Sequence, residues 1–415
     1  MGFYKNYLTE ITSRGYKNSD KNVCSKCVGD KYLYGMIRSK GICGTCSFCH
    51  KKRNVLPMNN ILEVISRTIR QNYVPAEGNA IYDSEEKQWM DCEHVIDGYD
   101  FIYDELNTYL ESNNDEFLKE LLEKLVFEDR MRKSQFSESQ EQIDMMEWNK
   151  YCSLVRDTSL SAEQIIGLIN NKNISEMPIN LKNIHITLNM IYDYCKELGL
   201  VRILGGINSK KKSVPVYRCV NFLPIGQTFE DLSFIPASLV GTAPARNVAD
   251  NRMSEKGDMM FYGADNIATA CKEVGTNGKH PEYPATVGEF YANKNFRILD
   301  LSYIPFKSLP SIFDIDNMSK RNAWFFLREF VDQISEARRE SGNDNDYDKF
   351  YKPTQVFTKY IQRNTTLNGL KFKSSKSSGN CYVIFVVNRD CIDKINMIDK
   401  KRNQLIMGEY VQLDF

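Results

Sequence analysis

The sequence has 415 residues, and its 54 Lys and Arg balance 54 Asp and Glu, so the formal net charge is zero. This length allows two or three domains with a sizeable core, and the neutral balance argues against a protein whose whole surface grips nucleic acid. An apolar content of 42% with 12% aromatic residues excludes a disordered chain, and no run reaches the roughly 20 apolar residues of a membrane span.

The N-terminal "MGFYKNYLTE" lacks the apolar core of a secretory signal, and Asn6 stands where a myristoylation signal needs Ser or Thr. The reading is a cytoplasmic protein. Residues 1–55 read as loop-rich and hold five of the 12 cysteines. In a reducing compartment such a cluster binds metal in preference to forming disulfides. "CSKC" at 24–27 and "CGTCSFC" at 43–49 supply two CxxC knuckles, each a tight turn that gives two thiolates to one tetrahedral Zn²⁺. Four thiolates leave no open coordination position, so the site is structural. Cys43/Cys46 and Cys46/Cys49 are both CxxC, and spacing alone leaves that choice open. His50 adjoins Cys49 and reads as exposed.

From about 58 to about 205 the texture is helical. "NNILEVISRTIR" places Ile61, Leu62, Ile65 and Ile69 on one face, and "DEFLKELLEKLVFED" does the same with Phe117, Leu118, Leu121, Leu122 and Leu125. Ser161 with Gln164 three residues later has capping-box spacing ahead of "EQIIGLI". "IHITLNMIYDYCKELGLV" is a further helix ending at Gly199. The linker "GGINSKKKSVP" at 205–215 precedes a mixed region. There Val214, Val216 and Val220 alternate on a strand, "FRILDLSYI" and "CYVIFVV" read as strands, and "PTQVFTKYIQR" is a helix with Pro353 at its first position. "ESGNDNDYDKF" at 340–350 reads as an exposed insertion.

Four histidines, His50, His94, His185 and His280, are too few and too scattered for a His-based or metal-dependent hydrolase. None follows an Arg at the spacing of a helical RNase, and His185 reads as an interior helix residue. Neither a Walker A motif nor a strand-linked G-x-G-x-x-G is present.

One stretch, "NRMSEKGDMMFYGADNIATACKEV", concentrates chemistry. Arg252 lies at a loop start near a Gly257 turn that would leave backbone N–H groups free. Tyr262 ends the apolar strand "MMFY", and Glu273 borders the buried stripe Ile267, Ala270, Cys271 and Val274 of the next helix. Upstream, Arg218 shares a strand face with Val216 and Val220. An arginine on an apolar face is costly unless it meets an anion. Two arginines, a tyrosine and a border glutamate suit a diphosphate beside an aromatic cation. The plain alternative has Arg218 snorkelling to the surface and Glu273 solvated.

Residues 214–390 resemble the RES domain family, through "YRC" (Arg218), "NRMSEKGDMMFYGA" and "ATACKE" (Arg252, Tyr262, Glu273), "YKPTQVFTKYI" and "GLKFKSSKSSGNCYVIF" (Ser374). The family often has Pro where this chain has Glu255. The first part resembles the HEPN-like domain found fused to RES, whose cysteine pattern matches Cys24, Cys27, Cys46 and Cys49. The resemblance implies an α+β protein: a zinc knuckle at 1–55, an all-α HEPN-like domain at 56–205, and a mixed ADP-ribosyltransferase-like RES domain at 206–415. It further implies a bacterial toxin or defence effector that consumes NAD⁺ as glycohydrolase or phosphorylase, with protein ADP-ribosylation as an alternative. An antitoxin or activating partner, and a homo-oligomer, go with that expectation. By the same resemblance Arg218 and Arg252 clamp the pyrophosphate and Tyr262 stacks on the cationic nicotinamide. Glu273 stabilises the oxocarbenium-like ribose, and Ser374 hydrogen-bonds the nicotinamide amide or its ribose. The competing reading is a non-catalytic zinc-dependent protein that binds RNA or a partner. In it, residues 161–203 form a helix-turn-helix with a wing.

Overall fold

The computed structural model describes residues 2–75, 82–83, 88–89, 96–127, 130–133, 140–207, 209–220, 234–275, 285–305, 309–336, 347–395, 399 and 401–413. His94, His280 and most of the 340–350 insertion lie outside these residues. The chain divides into two compact units, Met1–Gln142 with Leu309–Asn322, and Ile143–Ser308 with Ala323–Phe415.

In the first unit, α1 (Gly2–Arg14), β1 (Asn22–Cys24), α2 (Lys31–Lys40), β2 (Ile42–Thr45) and β3 (Lys52–Pro57) are followed by α3 (Met58–Asn72) and α4 (Asp115–Lys124). Residues 1–55 are therefore more regular than the sequence texture suggests. Helix α2 escapes the periodicity because only Leu33 and Ile37 are fully buried along it. Its start is nonetheless well capped: the Asp30 carboxylate accepts from the Tyr32 and Leu33 amides. Strands β1, β3 and β2 make one antiparallel sheet in that order. The predicted stripes of α3 and α4 face inward: Ile61, Leu62, Ile65 and Ile69, with Phe117, Leu118 and Leu121, join one apolar core. Each such side chain contributes about 1.5–3 kcal/mol of burial.

The second unit opens with α5 (Gln140–Asp157), α6 (Ala162–Asn170) and α7 (Ile179–Glu197). The capping box at Ser161 and Gln164 is present, and Gly199, at φ +63°, takes the left-handed position that ends α7. His185 shares a polar contact of 3.0 Å with Asn189 within this helix, and burial lowers its pKa. Next come β4 (Val201–Leu204), β5 (Val216–Val220), β6 (Phe261–Ala264), α8 (Ile267–Gly275), β7 (Ala285–Ala292), β8 (Phe296–Asp300) and, from Ala323 on, the larger part of α9 (Met318–Ser335). The unit closes with α10 (Lys352–Asn364), β9 (Gly369–Lys373), β10 (Asn380–Ile384), β11 (Cys391–Asp393) and β12 (Leu405–Leu413). The strands form a nine-stranded mixed sheet in the order β11-β12-β7-β5-β6-β10-β9-β8-β4. Only β8–β9 and β11–β12 are parallel among its described pairs. Strand β4 pairs antiparallel with β8 from Val201↔Leu299 to Leu204↔Phe296, so it is a sheet edge and not a free wing. Apolar clusters cover both faces, one around Val216, Phe261 and Phe290, the other around Cys219, Ala270 and Val287.

Four local expectations change. The strand begins at Val216, and Val214 is exposed. Tyr262 lies inside β6 and does not end it. Ile267 is 39% exposed while Ala270 and Cys271 are buried, so the buried stripe of α8 starts later than the sequence suggests. Pro353 sits second in α10, after Lys352. Among the described residues no helix is long and apolar enough to cross a membrane.

Candidate active site and metal centre

The Cys24, Cys27, Cys46 and Cys49 sulfurs lie within 4.8 Å of one another. Sulfur separations are 3.6 Å for Cys24–Cys49 and 3.8 Å for both Cys24–Cys27 and Cys27–Cys46. A zinc ion with four thiolates at about 2.3 Å needs sulfur–sulfur edges of about 3.8 Å, so the donor set fits Zn²⁺. Each knuckle closes as a turn, Cys27 N–H on Cys24 O at 3.0 Å and His50 N–H on Cys46 O at 3.0 Å. Asn114 Nδ2 lies 3.7 Å from the Cys27 sulfur and donates to Phe48 O at 3.2 Å. Burial pushes the Cys24 and Cys27 thiols up. Burial opposes ionisation of Cys49 too, yet a backbone hydrogen bond from Lys51 and the neighbouring thiols bring it down to about 7. A metal resolves this conflict by stabilising all four thiolates at once. Cys43 is exposed on β2, paired with Asn54 across the sheet, and takes no part. His50 is exposed as well.

The second site is a cavity of about 370 Å³ whose walls include Arg218, Arg252, Tyr262 and Glu273. Its origin is a break in the sheet. Strands β5 and β6 pair only at Tyr217↔Ala264, and the gap beyond that pair is bordered by Arg218, Tyr262 and Gly263. Gly263 permits the arrangement, since a Cβ there would meet Val216 Cγ1 at 2.5 Å and Tyr217 O at 3.0 Å.

Arg218 is half-buried; its Nη1 donates to Tyr262 O at 2.6 Å and the guanidinium stands 5.5 Å from the Phe261 ring centroid. Arg252 donates from Nη2 to Ser375 Oγ at 2.9 Å and to Glu336 O at 3.3 Å. Its guanidinium lies 5.8 Å from both the Tyr351 and the Phe372 ring centroids. In both arginines the Nε is buried without a partner among the described residues. Such a buried unsatisfied donor is costly, and it is closed to solvent; what meets the cavity is the rest of the two arginine side chains, both of which line it, and two guanidinium groups on one cavity suit an anion. Burial lowers the Arg218 pKa, though a guanidinium keeps its charge at any physiological pH. The Tyr262 hydroxyl is 2.8 Å from Ser254 Oγ, and burial raises its pKa.

Glu273 enters from α8. Its Oε1 accepts from Ser374 Oγ at 2.5 Å and from Cys381 Sγ at 3.4 Å, and its main-chain oxygen accepts from Lys376 Nζ at 2.7 Å. Ser374 thus stands behind the carboxylate and is not among the cavity walls, which do include Ser375 and Lys376. The Gly257 turn is present at φ +83°, but its amides are used: Gly257 N–H meets Val248 O at 3.1 Å and Lys256 N–H meets Asp250 Oδ1 at 3.0 Å. That corrects the expectation of free donors there. Sequence reasoning missed Tyr351, Phe372, Ser375, Lys376 and Cys381. The polar run "KSSKSS" after β9 was the available signal for two of them.

A mixed sheet with an arginine-lined cavity facing a carboxylate, alongside a tetrathiolate knuckle, defines a two-part α+β protein with one candidate reaction site and one candidate structural metal site. The family comparisons agree: residues 39–159 match HEPN/RES N-terminal domain 1, and residues 216–404 match the RES domain. The chain belongs to the proteins that join these two domains. Among solved structures, it is similar to a chain in the crystal structure of the M. tuberculosis MbcT-MbcA toxin-antitoxin complex. The identity is 12%, covering 54% of this chain and 92% of that chain, at a TM-score of 0.28, too low to establish a shared fold. No curated protein matches the sequence.

Proposed function

We propose that the chain is an NAD⁺-consuming toxin or defence effector that breaks the nicotinamide–ribose bond, as a glycohydrolase or phosphorylase. The observation that carries this reading is that two arginine side chains, Arg218 and Arg252, line the same cavity as Glu273. In the proposed reaction the two arginines hold the pyrophosphate, and Tyr262 packs against the pyridinium ring. The C–N bond breaks heterolytically, and its electron pair goes to the ring nitrogen, which leaves as neutral nicotinamide. Positive charge then develops on the ribose, and the Glu273 carboxylate stabilises it. A water or phosphate oxygen adds to the vacated carbon; water gives up a proton and yields ADP-ribose, phosphate yields its phosphorylated form. The leaving group starts as a cation, so no general acid is needed and a histidine-poor site is sufficient.

A protein that drains NAD⁺ harms the cell that makes it, so the proposal includes a restraining antitoxin in the cytoplasm, and the chain freed of it is active. The knuckle and helical region would serve as the appended regulator, with Zn²⁺ as a structural ion. The test is mass analysis of the products after the full-length chain meets NAD⁺ with and without phosphate. ADP-ribose or its phosphorylated form supports the reading and names the acceptor. Nicotinamide with ADP-ribosylated protein as the product would favour a transferase, and NAD⁺ left intact by folded protein would defeat it.

A further inference from the structure

The segment "PTQVFTKYI" has no role in the chemistry above, yet one face of α10 is spent on the turn that carries Arg252. Gln355, 3% exposed, donates from Nε2 to Asn251 O at 2.8 Å and to Ser254 O at 3.3 Å. It thereby spans the two ends of the turn, which are themselves cross-bridged by Asn251 N–H on Ser254 O at 2.9 Å and Ser254 N–H on Asn251 O at 3.3 Å. Thr354 Oγ1 lies within hydrogen-bond distance of the carbonyl of Arg252 itself and of Tyr351 O at 2.8 Å, which share its one proton. Thr358 Oγ1 lies 3.3 Å from Met253 Sδ.

One turn further, Lys359 is 4% exposed, and its ammonium meets Asp258 Oδ2 at 2.5 Å, Glu163 Oε2 at 3.4 Å and Gln362 Oε1 at 3.0 Å. Asp258 lies on the same loop as Arg252, and Glu163 lies on α6. Glu255, the residue that departs from the family's proline, accepts from the Ala162 amide at 2.8 Å. The loop therefore meets four residues of α10 and, through Glu255, the first turn of α6. Buried polar groups with every hydrogen bond made specify one geometry.

We propose that Thr354, Gln355 and Lys359 are positioning residues that hold the Arg252 turn in its anion-binding shape. The proposal extends the reading of Arg252 as a pyrophosphate ligand, but its structural half stands without it. An arginine in a fixed turn loses less freedom on binding than one in a loose loop. Loss of the clamp should therefore weaken NAD⁺ binding and leave the bond-breaking step alone.

The experiment uses the full chain with Thr354→Val, which keeps side-chain shape, and Gln355→Met, each also combined with Glu273→Gln to stop turnover. Hydrogen exchange at the Asn251 and Ser254 amides should quicken at least tenfold, with the amides of β10 unchanged. The NAD⁺ Kd in the Glu273→Gln background should rise about tenfold, and KM should rise with kcat within about threefold in the parent. Lys359→Arg, which keeps the charge, should recover most of the affinity lost in Lys359→Met. Unchanged exchange at the turn would overturn the clamp, even if Gln355→Met lowers Tm. Faster exchange with unchanged Kd would overturn its functional half. Wild-type protein that does not bind NAD⁺ would count against the proposed function alone, since the exchange result is read without ligand.

Discussion

The Ser374 hydroxyl stands 2.5 Å from Glu273 Oε1 while itself accepting from the Lys376 amide at 3.1 Å and the Ser377 amide at 3.0 Å. Two backbone donors polarise the hydroxyl, which strengthens the hydrogen bond it gives. With Cys381 Sγ also at 3.4 Å from Oε1, one oxygen of this cavity-lining carboxylate is fixed by protein. The arrangement suits Ser374 to aiming the carboxylate. The family resemblance implies a different role for it, a hydrogen bond to the nicotinamide amide or its ribose.

The two roles separate in kinetics. Ser374→Ala should lower kcat about tenfold to hundredfold, or roughly 1.4–2.8 kcal/mol of barrier, with KM within about threefold. A residue that touches nicotinamide would instead show its loss in KM. Steady-state rates of nicotinamide release decide between them.

Arg218 and Arg252 should not tolerate lysine, because an ammonium cannot reproduce the planar fork of donors. In the Glu273→Gln background, Arg218→Lys and Arg252→Lys should each raise the NAD⁺ Kd about tenfold to hundredfold by calorimetry. An unchanged Kd for either would remove it from the clamp.

Metal analysis of the purified chain should give one zinc per protein. Cys46→Ser should lose that zinc and lower Tm by about 6–12 °C, the equivalent of roughly 3 kcal/mol for a unit of this size. Cys43→Ser, at an exposed position outside the cluster, should change neither. Zinc loss on substituting Cys43 would mean a different ligand set.

Gly263→Ala should destabilise by about 1–3 kcal/mol through overpacking, because its Cβ would press on Val216 Cγ1 at 2.5 Å and Phe261 Cε1 at 2.9 Å. Thermal unfolding measures this, and an unchanged Tm would show that the gap between β5 and β6 closes without cost.

What the sequence made legible is local. The helix stripes of α3 and α4, the capping box at Ser161 and the knuckle pairs are each written within a few residues, and each is present. At the cavity, residue types and blocks in order singled out Arg218, Arg252, Tyr262 and Glu273, which do line one space. The contacts that complete it are not local. Ser374 meets Glu273 across 101 positions and Ser375 meets Arg252 across 123. No periodicity predicts which hydroxyl in "KSSKSS" faces a carboxylate and which a guanidinium. That depends on where β9 ends against α8. Helix α2 was missed for the opposite reason: its buried side is too narrow to give a periodic signal.

In the proposed reaction Glu273 drives departure of nicotinamide from NAD⁺. The most direct test is nicotinamide release by full-length protein and by Glu273→Gln, with NAD⁺ binding to both measured alongside. The parent should release nicotinamide steadily, the variant about 10³-fold or more slowly, and NAD⁺ affinity should stay within a few-fold. Equal release by the two proteins, or no release by a parent that binds NAD⁺, would contradict it.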